Sequence, residues 1–189
     1  MTTTSTMRNR LKHNRPSVRK NARPPKQRTQ LGQAFTAANL PCALALQHCP
    51  HCDSLQYPPR ELCQHCLGDG LVWRETATAG KIINRIELHH SLWEYFKRRV
   101  QTQPWPIASV RLQHGSTVFA HLAVQTFGGT GISEIKAGST VAVFSHTDAS
   151  QSAVLFAVAA GTAIETAAQR RTIVAELGLL EPSVKPGGI

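Results

Sequence analysis

Apolar and polar residues alternate along most of the chain between residues 80 and 158, which is the period of half-buried β-strands. The pattern predicts five strands, at residues 82–88, 108–112, 118–124, 140–144 and 153–158. Five short strands in a segment of this length fit a small antiparallel barrel better than a sandwich, and the OB-fold is the most economical five-stranded barrel. We therefore expect a mainly β protein whose residues 77–160 form an OB-fold barrel.

Apolar residues at helical spacing lie on both sides of the barrel region. Leu31, Phe35 and Ala38 fall on one face of a short helix. A second helix is predicted over residues 164–177, and Gly178 is a typical residue to end it. The expected fold thus has short N-terminal and C-terminal helices, the second packed on the barrel or on a partner.

Two Cys-x-x-Cys pairs, separated by ten residues, occupy the segment before the barrel: Cys49 with Cys52, and Cys63 with Cys66. This spacing is typical of a four-cysteine structural zinc site, because each pair turns tightly enough to direct two sulfurs at one tetrahedral ion. The enclosed residues are too few and too polar to form a core. Zinc must therefore supply the folding free energy, on the order of 10–16 kcal/mol at neutral pH. We predict a rubredoxin-like zinc ribbon.

Two alternatives to four cysteine ligands stay open from the residues alone. Four unrelated buried thiols are one, and replacement of a cysteine by His48, His51 or His65 is the other. Four thiolates already fill a tetrahedral shell, so the expected role of the zinc is structural. Cys42 is expected to be an ordinary buried or loop cysteine.

The positive charge of the chain is concentrated in its first 30 residues. These contain nine of the 21 Lys and Arg residues and no acid, which leaves 12 basic against 11 acidic residues for the rest. Such a segment has too little apolar surface to fold, and we expect a disordered basic tail. Three interpretations of this segment stay open. It is a solvated tail, which a start codon placed too far upstream would also produce, a polyanion-binding arm, or an organellar targeting peptide.

The rest of the composition sets the expected compartment. No run of about 18 apolar residues and no apolar signal-peptide core occurs, and metal-bound cysteines point to a reducing compartment. We expect a cytoplasmic protein without membrane contact. The predicted parts are a tail (1–30), a helix with the ribbon (31–76), the barrel (77–160) with an aromatic insertion (89–106), and a C-terminal helix and tail (161–189).

The insertion at 89–106 is rich in aromatic residues, with a short helix capped by Ser91 predicted at its centre. Aromatics on both sides of such a helix favour contact with an external molecule, and coverage of the barrel mouth is the alternative. The expected contact residues in the insertion are Trp93, Tyr95, Phe96, Arg99 and Trp105. Outside the cysteines, the histidines are scattered at strand ends without a nucleophile or paired carboxylates, so no catalytic site is predicted.

Several of these segments together resemble a known family. The matching residues are the four knuckle cysteines, Tyr57-Pro58-Pro59-Arg60, Trp73, Gly80, Pro104-Trp105-Pro106 with residues 108–112, Gly115, residues 120–122 and residues 136–141. Over residues 31–160 the chain is similar to the zinc-ribbon/OB-fold accessory proteins encoded beside thiolase-like enzymes and acyl-CoA hydratases. The basic tail and the C-terminal helix depart from the family core.

The resemblance implies a non-catalytic subunit that binds a thiolase-fold or hydratase-fold partner. In some complexes of the family the barrel holds the pantetheine or acyl chain of a CoA thioester. Arg60, from the matching Tyr57-Pro58-Pro59-Arg60 motif, is also expected to contact the partner or the acyl-CoA. The long aromatic insertion resembles that of partners of lipid-transfer-type thiolases, which perform retro-aldol cleavage in steroid side-chain breakdown.

The sequence favours one function and leaves one alternative open. The first is a non-catalytic accessory subunit of an acyl-CoA-processing complex acting on steroid or fatty-acyl side chains, with structural Zn²⁺ and a CoA thioester as bound ligand. The alternative is an OB-fold single-stranded nucleic-acid-binding protein with a basic arm. The nearly neutral body and the few cations interleaved among Phe119, Phe144 and Phe156 favour the first.

Overall fold

The computed structural model describes residues 29–90, 100, 103–128, 135–147 and 152–178. Nearly all of the predicted basic tail, and Trp93, Tyr95, Phe96 and Arg99 of the insertion, lie outside the described residues. The elements are α1 (Gln30–Asn39), β1 (Ala45–His48), β2 (Leu55–Gln56), β3 (Val72–Glu75), β4 (Ala79–Leu88), β5 (Trp105–Leu112), β6 (Thr117–Leu122), a 3-10 turn (Val124–Phe127), β7 (Thr140–Thr147), β8 (Ala153–Ala159) and α2 (Ala167–Glu176).

The first three strands form a small antiparallel sheet in the order β2-β1-β3. β1 is the central strand and pairs with β3 over four residues, from Ala45 opposite Glu75 to His48 opposite Val72. The helix predicted before Pro41 is confirmed. In its last turn, the Asn39 side chain donates to the Ala45 carbonyl of β1 at 3.0 Å and accepts from the Ala45 N–H at 2.8 Å. The helix end therefore fixes the start of the ribbon sheet.

The remaining five strands close into a barrel in the order β4-β5-β6-β8-β7, with β7 returning to β4. Every neighbouring pair is antiparallel except β6 and β8, which are parallel. The predicted five-stranded barrel is confirmed. The strand predicted over residues 118–124 is shorter at its C-terminal end. It ends at Leu122, and a 3-10 turn begins at Val124.

Gly80 allows two barrel strands to approach closely. It lies opposite Leu112 in the β4–β5 ladder. A Cβ atom at this position would lie 2.7 Å from the Arg111 carbonyl oxygen and 2.8 Å from Val110 Cγ1. Since real Cβ contacts are not that short, only glycine fits between β4 and the β5 backbone.

Two apolar clusters stabilise the barrel from opposite sides of its wall. The interior cluster contains the inward residues of all five strands, such as Ile82 and Val110, and extends to Phe35 of α1 and to Leu44 and Leu46 of the ribbon. Complete burial of one such side chain is worth roughly 1.5–3 kcal/mol. The ribbon and the barrel therefore share one core.

The second cluster lies outside the barrel wall, under the C-terminal helix. Phe144 and Phe156 stack with ring centroids 5.7 Å apart and are fully buried together with Val174 of α2. α2 begins with a capping box in which the Thr166 and Gln169 side chains bond each other's backbone N–H. Of the two predicted positions for this helix, the structure shows packing on the barrel. No helix in the described part of the chain is long and apolar enough to cross a membrane.

Candidate metal centre and barrel surface

The two cysteine knuckles have the same backbone geometry. The Cys49 N–H donates to the Ser54 carbonyl at 2.9 Å, and the Cys63 N–H donates to the Gly68 carbonyl at 2.9 Å. In each knuckle the residue after the second cysteine has a positive φ, 55° at Asp53 and 59° at Leu67. This repeated turn is what brings both sulfurs of each Cys-x-x-Cys pair to the same side of the backbone.

The four sulfur atoms of Cys49, Cys52, Cys63 and Cys66 all lie within 4.8 Å of one another. The pairs Cys49–Cys66 and Cys52–Cys63 are separated by 3.5 and 3.6 Å. A tetrahedral zinc ion with Zn–S bonds of about 2.3 Å requires sulfurs about 3.8 Å apart. The donor set and its geometry therefore fit structural zinc, and none of the three flanking histidines belongs to the cluster.

Neighbouring groups shift the pKa values of two of the cysteine thiols in opposite directions. The Ser54 hydroxyl lies 3.0 Å from Cys52 Sγ and 3.4 Å from Cys63 Sγ. This hydroxyl, followed by backbone N–H groups, lowers the pKa of Cys63 to about 5. At Cys66 the backbone of Gly68 opposes the shift, but the Cys49 sulfur, burial and the other thiols raise the pKa to about 12. Four thiolates crowd one another, so a bound cation is needed for all of them to ionise.

Two buried glutamines hold the loop between the knuckles, and sequence reasoning missed both. Gln47 accepts from the Arg60 N–H at 2.7 Å and donates to the Arg60 carbonyl at 2.9 Å. Gln56 donates to Gln47 Oε1 and to the Leu62 carbonyl, and accepts from the Gln64 N–H at 2.9 Å. The only signal in the sequence is a glutamine in each of two short strand patterns, which is not specific enough to identify such a network.

The histidines near the knuckles have other contacts. His48 Nε2 lies 2.6 Å from an Asp53 carboxylate oxygen, and Arg74 lies 3.6 Å from the same oxygen. The His51 ring packs on Gly68, where an added Cβ would lie 3.1 Å from His51 Cδ2 and 3.3 Å from Cys66 Sγ. The glycine thus leaves room for the second knuckle to close over the first.

The structure places two of the predicted contact residues. Arg60 is exposed on the ribbon, and its backbone is fixed by Gln47. Trp105 is only 8 % exposed and lies edge-on to His121 at 6.3 Å between ring centroids, in the cluster under α2. Trp105 is therefore held rigidly, as its flanking prolines suggest, but it presents little surface in this chain. A partner contact by either residue stays a prediction.

The outer face of strands β4, β5 and β6 carries exposed apolar side chains that the sequence pattern did not single out. Phe119 is 58 % exposed, Ile86 is 53 % exposed and Ile83 is 41 % exposed. Ile86 lies opposite the half-buried Ile107, and Phe119 lies opposite Ser109, so these residues share the outward side of adjacent strands, while Ile83 is exposed at the register shift in β4. We call Ile83, Ile86, Ile107 and Phe119 the outer barrel patch.

At one end of this patch two cations face each other. Lys81 on β4 is directly opposite Arg111 on β5, and both are exposed. Like charges at opposed positions of a sheet destabilise it unless an anion or solvent lies between them. The pair lines a surface groove of about 270 Å³ with Thr140 and Gln113.

The fold and the cysteine site define a zinc-ribbon protein with an attached five-stranded barrel. Residues 43–72 match the family model of the ChsH2 rubredoxin-like zinc ribbon domain. A solved chain of the "Ltp2-ChsH2(DUF35) aldolase" is similar at 22% identity and a TM-score of 0.53, covering 77% of this chain and 99% of that chain. The predicted resemblance is therefore confirmed for the ribbon sequence and for the ribbon-and-barrel fold.

A second solved structure has a lower similarity. It is a protein of unknown function from the DUF35 family of Sulfolobus solfataricus, 16% identical, with a TM-score of 0.39 over 60% of this chain and 77% of that one. No curated protein sequence matches the chain.

Proposed function

We propose that this chain is a non-catalytic accessory subunit of an acyl-CoA-processing complex whose partner is a thiolase-fold enzyme of the aldolase type. Two matches together support the proposal. The ribbon sequence matches the ChsH2 zinc ribbon model, and the fold matches 99% of a solved chain of an aldolase that also carries the name ChsH2. Zinc holds the ribbon, and the barrel provides the contact surface.

Exposed apolar surface supports a protein partner. The outer barrel patch places a phenylalanine and isoleucines on adjacent rigid strands, and such clusters mark interaction sites more often than isolated apolar residues do. Aromatic residues on a rigid scaffold are frequent interface anchors, whose truncation costs about 2 kcal/mol or more. Phe119 is the first candidate anchor in the described part, beside the insertion residues Trp93, Tyr95 and Phe96 predicted from the sequence.

The cation pair next to the patch suits the charged end of an acyl-CoA. Lys81 and Arg111 would face phosphate groups, while the outer barrel patch would contact an apolar portion of the thioester. In the described part, the four cysteines are the one cluster of three or more metal-type donor atoms, and they fill a zinc shell. Within this proposal, bond cleavage belongs to the partner and this chain contributes binding.

Co-purification with a thiolase-type aldolase subunit tests the proposal. We expect a stable complex, and Phe119→Ala should weaken it at least tenfold in a binding titration while zinc content stays constant. Glu176→Ala, at an exposed position on α2 outside the patch and the Lys81–Arg111 groove, is the control and should bind like the parent. Absence of any complex with thiolase-fold or hydratase-fold subunits would contradict the assignment.

A second candidate, single-stranded nucleic-acid binding, is favoured by one observation. Arg111 and Phe119 lie on β5 and β6, the second and third barrel strands, whose face OB-folds use to bind oligonucleotides, and Lys81 lies opposite Arg111. Titration with a fluorescent single strand distinguishes the two functions. A nucleic-acid protein must bind with a steep salt dependence that Lys81→Ala reduces, whereas an acyl-CoA subunit must show CoA binding that an excess of the strand does not displace.

A further inference from the structure

A small cavity of about 190 Å³ lies where the end of α1, strand β7 and the start of α2 meet, away from both the zinc site and the outer barrel patch. Ser145 and Thr147 of β7 and Ala167, Arg170 and Arg171 of α2 are among its lining residues. Its volume is below the roughly 300 Å³ of a typical site for a whole small molecule. The cavity can therefore hold a single chemical group.

Arg170 is the lining residue that indicates ligand binding in this cavity. The residue is only 6 % exposed, although it carries a permanent positive charge. Its Nη1 donates to the Ile164 carbonyl at 2.9 Å and to the Glu165 carbonyl at 3.0 Å. A guanidinium has five N–H donors, so as far as the described residues go the Nε and Nη2 donors can take a further acceptor.

No carboxylate neutralises this charge within the described residues. The ion pairs there involve Asp53 and Glu87, and neither Arg170 nor Arg171 takes part in one. The Glu165 carboxylate instead accepts a hydrogen bond from the Ile164 N–H. A buried charge without a counter-charge is costly, which favours a site that an anion completes.

The surroundings add further positive potential to the same cavity. The exposed Arg171 also lines the cavity, and Ala167 is the first residue of α2, whose N-terminal dipole end is positive. The first turn of this helix contains no acidic residue. Guanidinium groups bind carboxylates and phosphates through two parallel hydrogen bonds, which is the chemistry that two arginines in one small cavity provide.

We propose that the Arg170–Arg171 cavity is a binding site for the phosphate or carboxylate group of an anionic ligand, separate from the proposed acyl-CoA surface. The inference does not depend on the proposed function, since its residues belong to α1, β7 and α2 and none of them is part of the outer barrel patch or the Lys81–Arg111 pair. The alternative is that Arg170 only fixes the turn before α2.

Backbone amide NMR of the zinc-loaded full-length chain tests the site. The probes are inorganic phosphate and acetate, each compared with sodium chloride at equal ionic strength, and their relative effects identify the anion class. We expect a saturable shift of the amide resonances of Thr147 and Ala167. Arg171→Ala should raise the apparent dissociation constant about tenfold, because it removes one charge-assisted contact.

Two further variants keep the result interpretable. Lys136→Ala removes an exposed cation elsewhere and should bind as the parent does. Arg170→Lys retains the charge but not the fork, so it should weaken binding while the amide spectrum stays folded. Absence of a saturable shift in the parent, or equal affinity in Arg171→Ala and Lys136→Ala, overturns the proposal. A shift that emerges only after Asp148→Asn also overturns it, because the chain's own carboxylate would then fill the site.

Discussion

The ribbon and the barrel reach stability by different means although they share one core. The ribbon holds its loops with four sulfurs and two buried glutamines, and its apolar contribution is limited to Leu44, Leu46 and partly buried neighbours such as Leu55 and Trp73. The barrel instead buries the inward side of five strands and the outer side beneath α2. The comparison teaches that a metal site replaces a hydrophobic core where the segment is too short to form one.

Removing one zinc ligand should produce the largest effect and confine it to the ribbon. Cys63→Ser leaves three thiolates, and because metal binding supplies on the order of 10–16 kcal/mol, we expect loss of most zinc and unfolding around β1–β3. Zinc analysis and hydrogen exchange of the ribbon amides measure the two outcomes. Cys42→Ser, outside the cluster, is the control. Full zinc content and a protected ribbon in Cys63→Ser would refute the four-cysteine site.

Truncating the second core should act in the opposite region. Phe156 is fully buried against Phe144, so Phe156→Ala should cost about 3–5 kcal/mol of unfolding free energy. Denaturant titration measures the loss, and zinc content should remain that of the parent. Exposed Phe119→Ala is the matched control, expected to change stability by about 0.5 kcal/mol or less. A similar cost for both would mean that the barrel core does not depend on this stack.

The glutamine network sharpens the comparison, because it is polar stabilisation inside the ribbon. Gln56→Ala removes the partners of the Leu62 carbonyl and the Gln64 N–H, and leaving such groups unsatisfied costs about 1–3 kcal/mol. We expect weaker zinc affinity in competition with a chelator, with the barrel unaffected. Gln64→Ala, at an exposed side chain, should retain the affinity of the parent. Equal affinity in both variants would show that the cysteines alone organise the loop.

A pH effect of smaller size should distinguish the barrel from the ribbon. Burial between Trp105 and Phe156 lowers the pKa of His121 to about 4, below its ordinary 6.5. The unfolded chain therefore binds the proton more tightly, and stability falls as pH decreases from about 6.5 towards 4. Between about pH 8 and pH 5 the loss should be about 2 kcal/mol.

His121→Leu should remove this part of the pH dependence. Protonation of the zinc thiolates also lowers stability in acid, but it affects parent and variant equally, so the difference between their urea titrations isolates His121. If the two proteins lose the same stability between these pH values, the histidine is already accessible to protons in the folded state.

The sequence by itself determined the elements whose signal is local. The spacing of Cys49, Cys52, Cys63 and Cys66 specified the metal site, since knuckle geometry depends on a few adjacent residues. Alternation of apolar residues specified the five barrel strands, and Gly178 marked the end of α2, whereas the Thr166–Gln169 capping box that starts the helix at Ala167, three residues later than predicted, was found only in the structure.

Tertiary structure alone decided which distant residues meet. Gln47 and Gln56 form one network because β1 pairs with β2 and the loop folds back over them. Lys81 faces Arg111, and Arg170 enters a cavity beside β7, because of strand register and helix packing. These contacts follow from long-range pairing, in which a shift of one residue would exchange the buried and exposed faces of a strand, and a one-dimensional pattern does not record that choice.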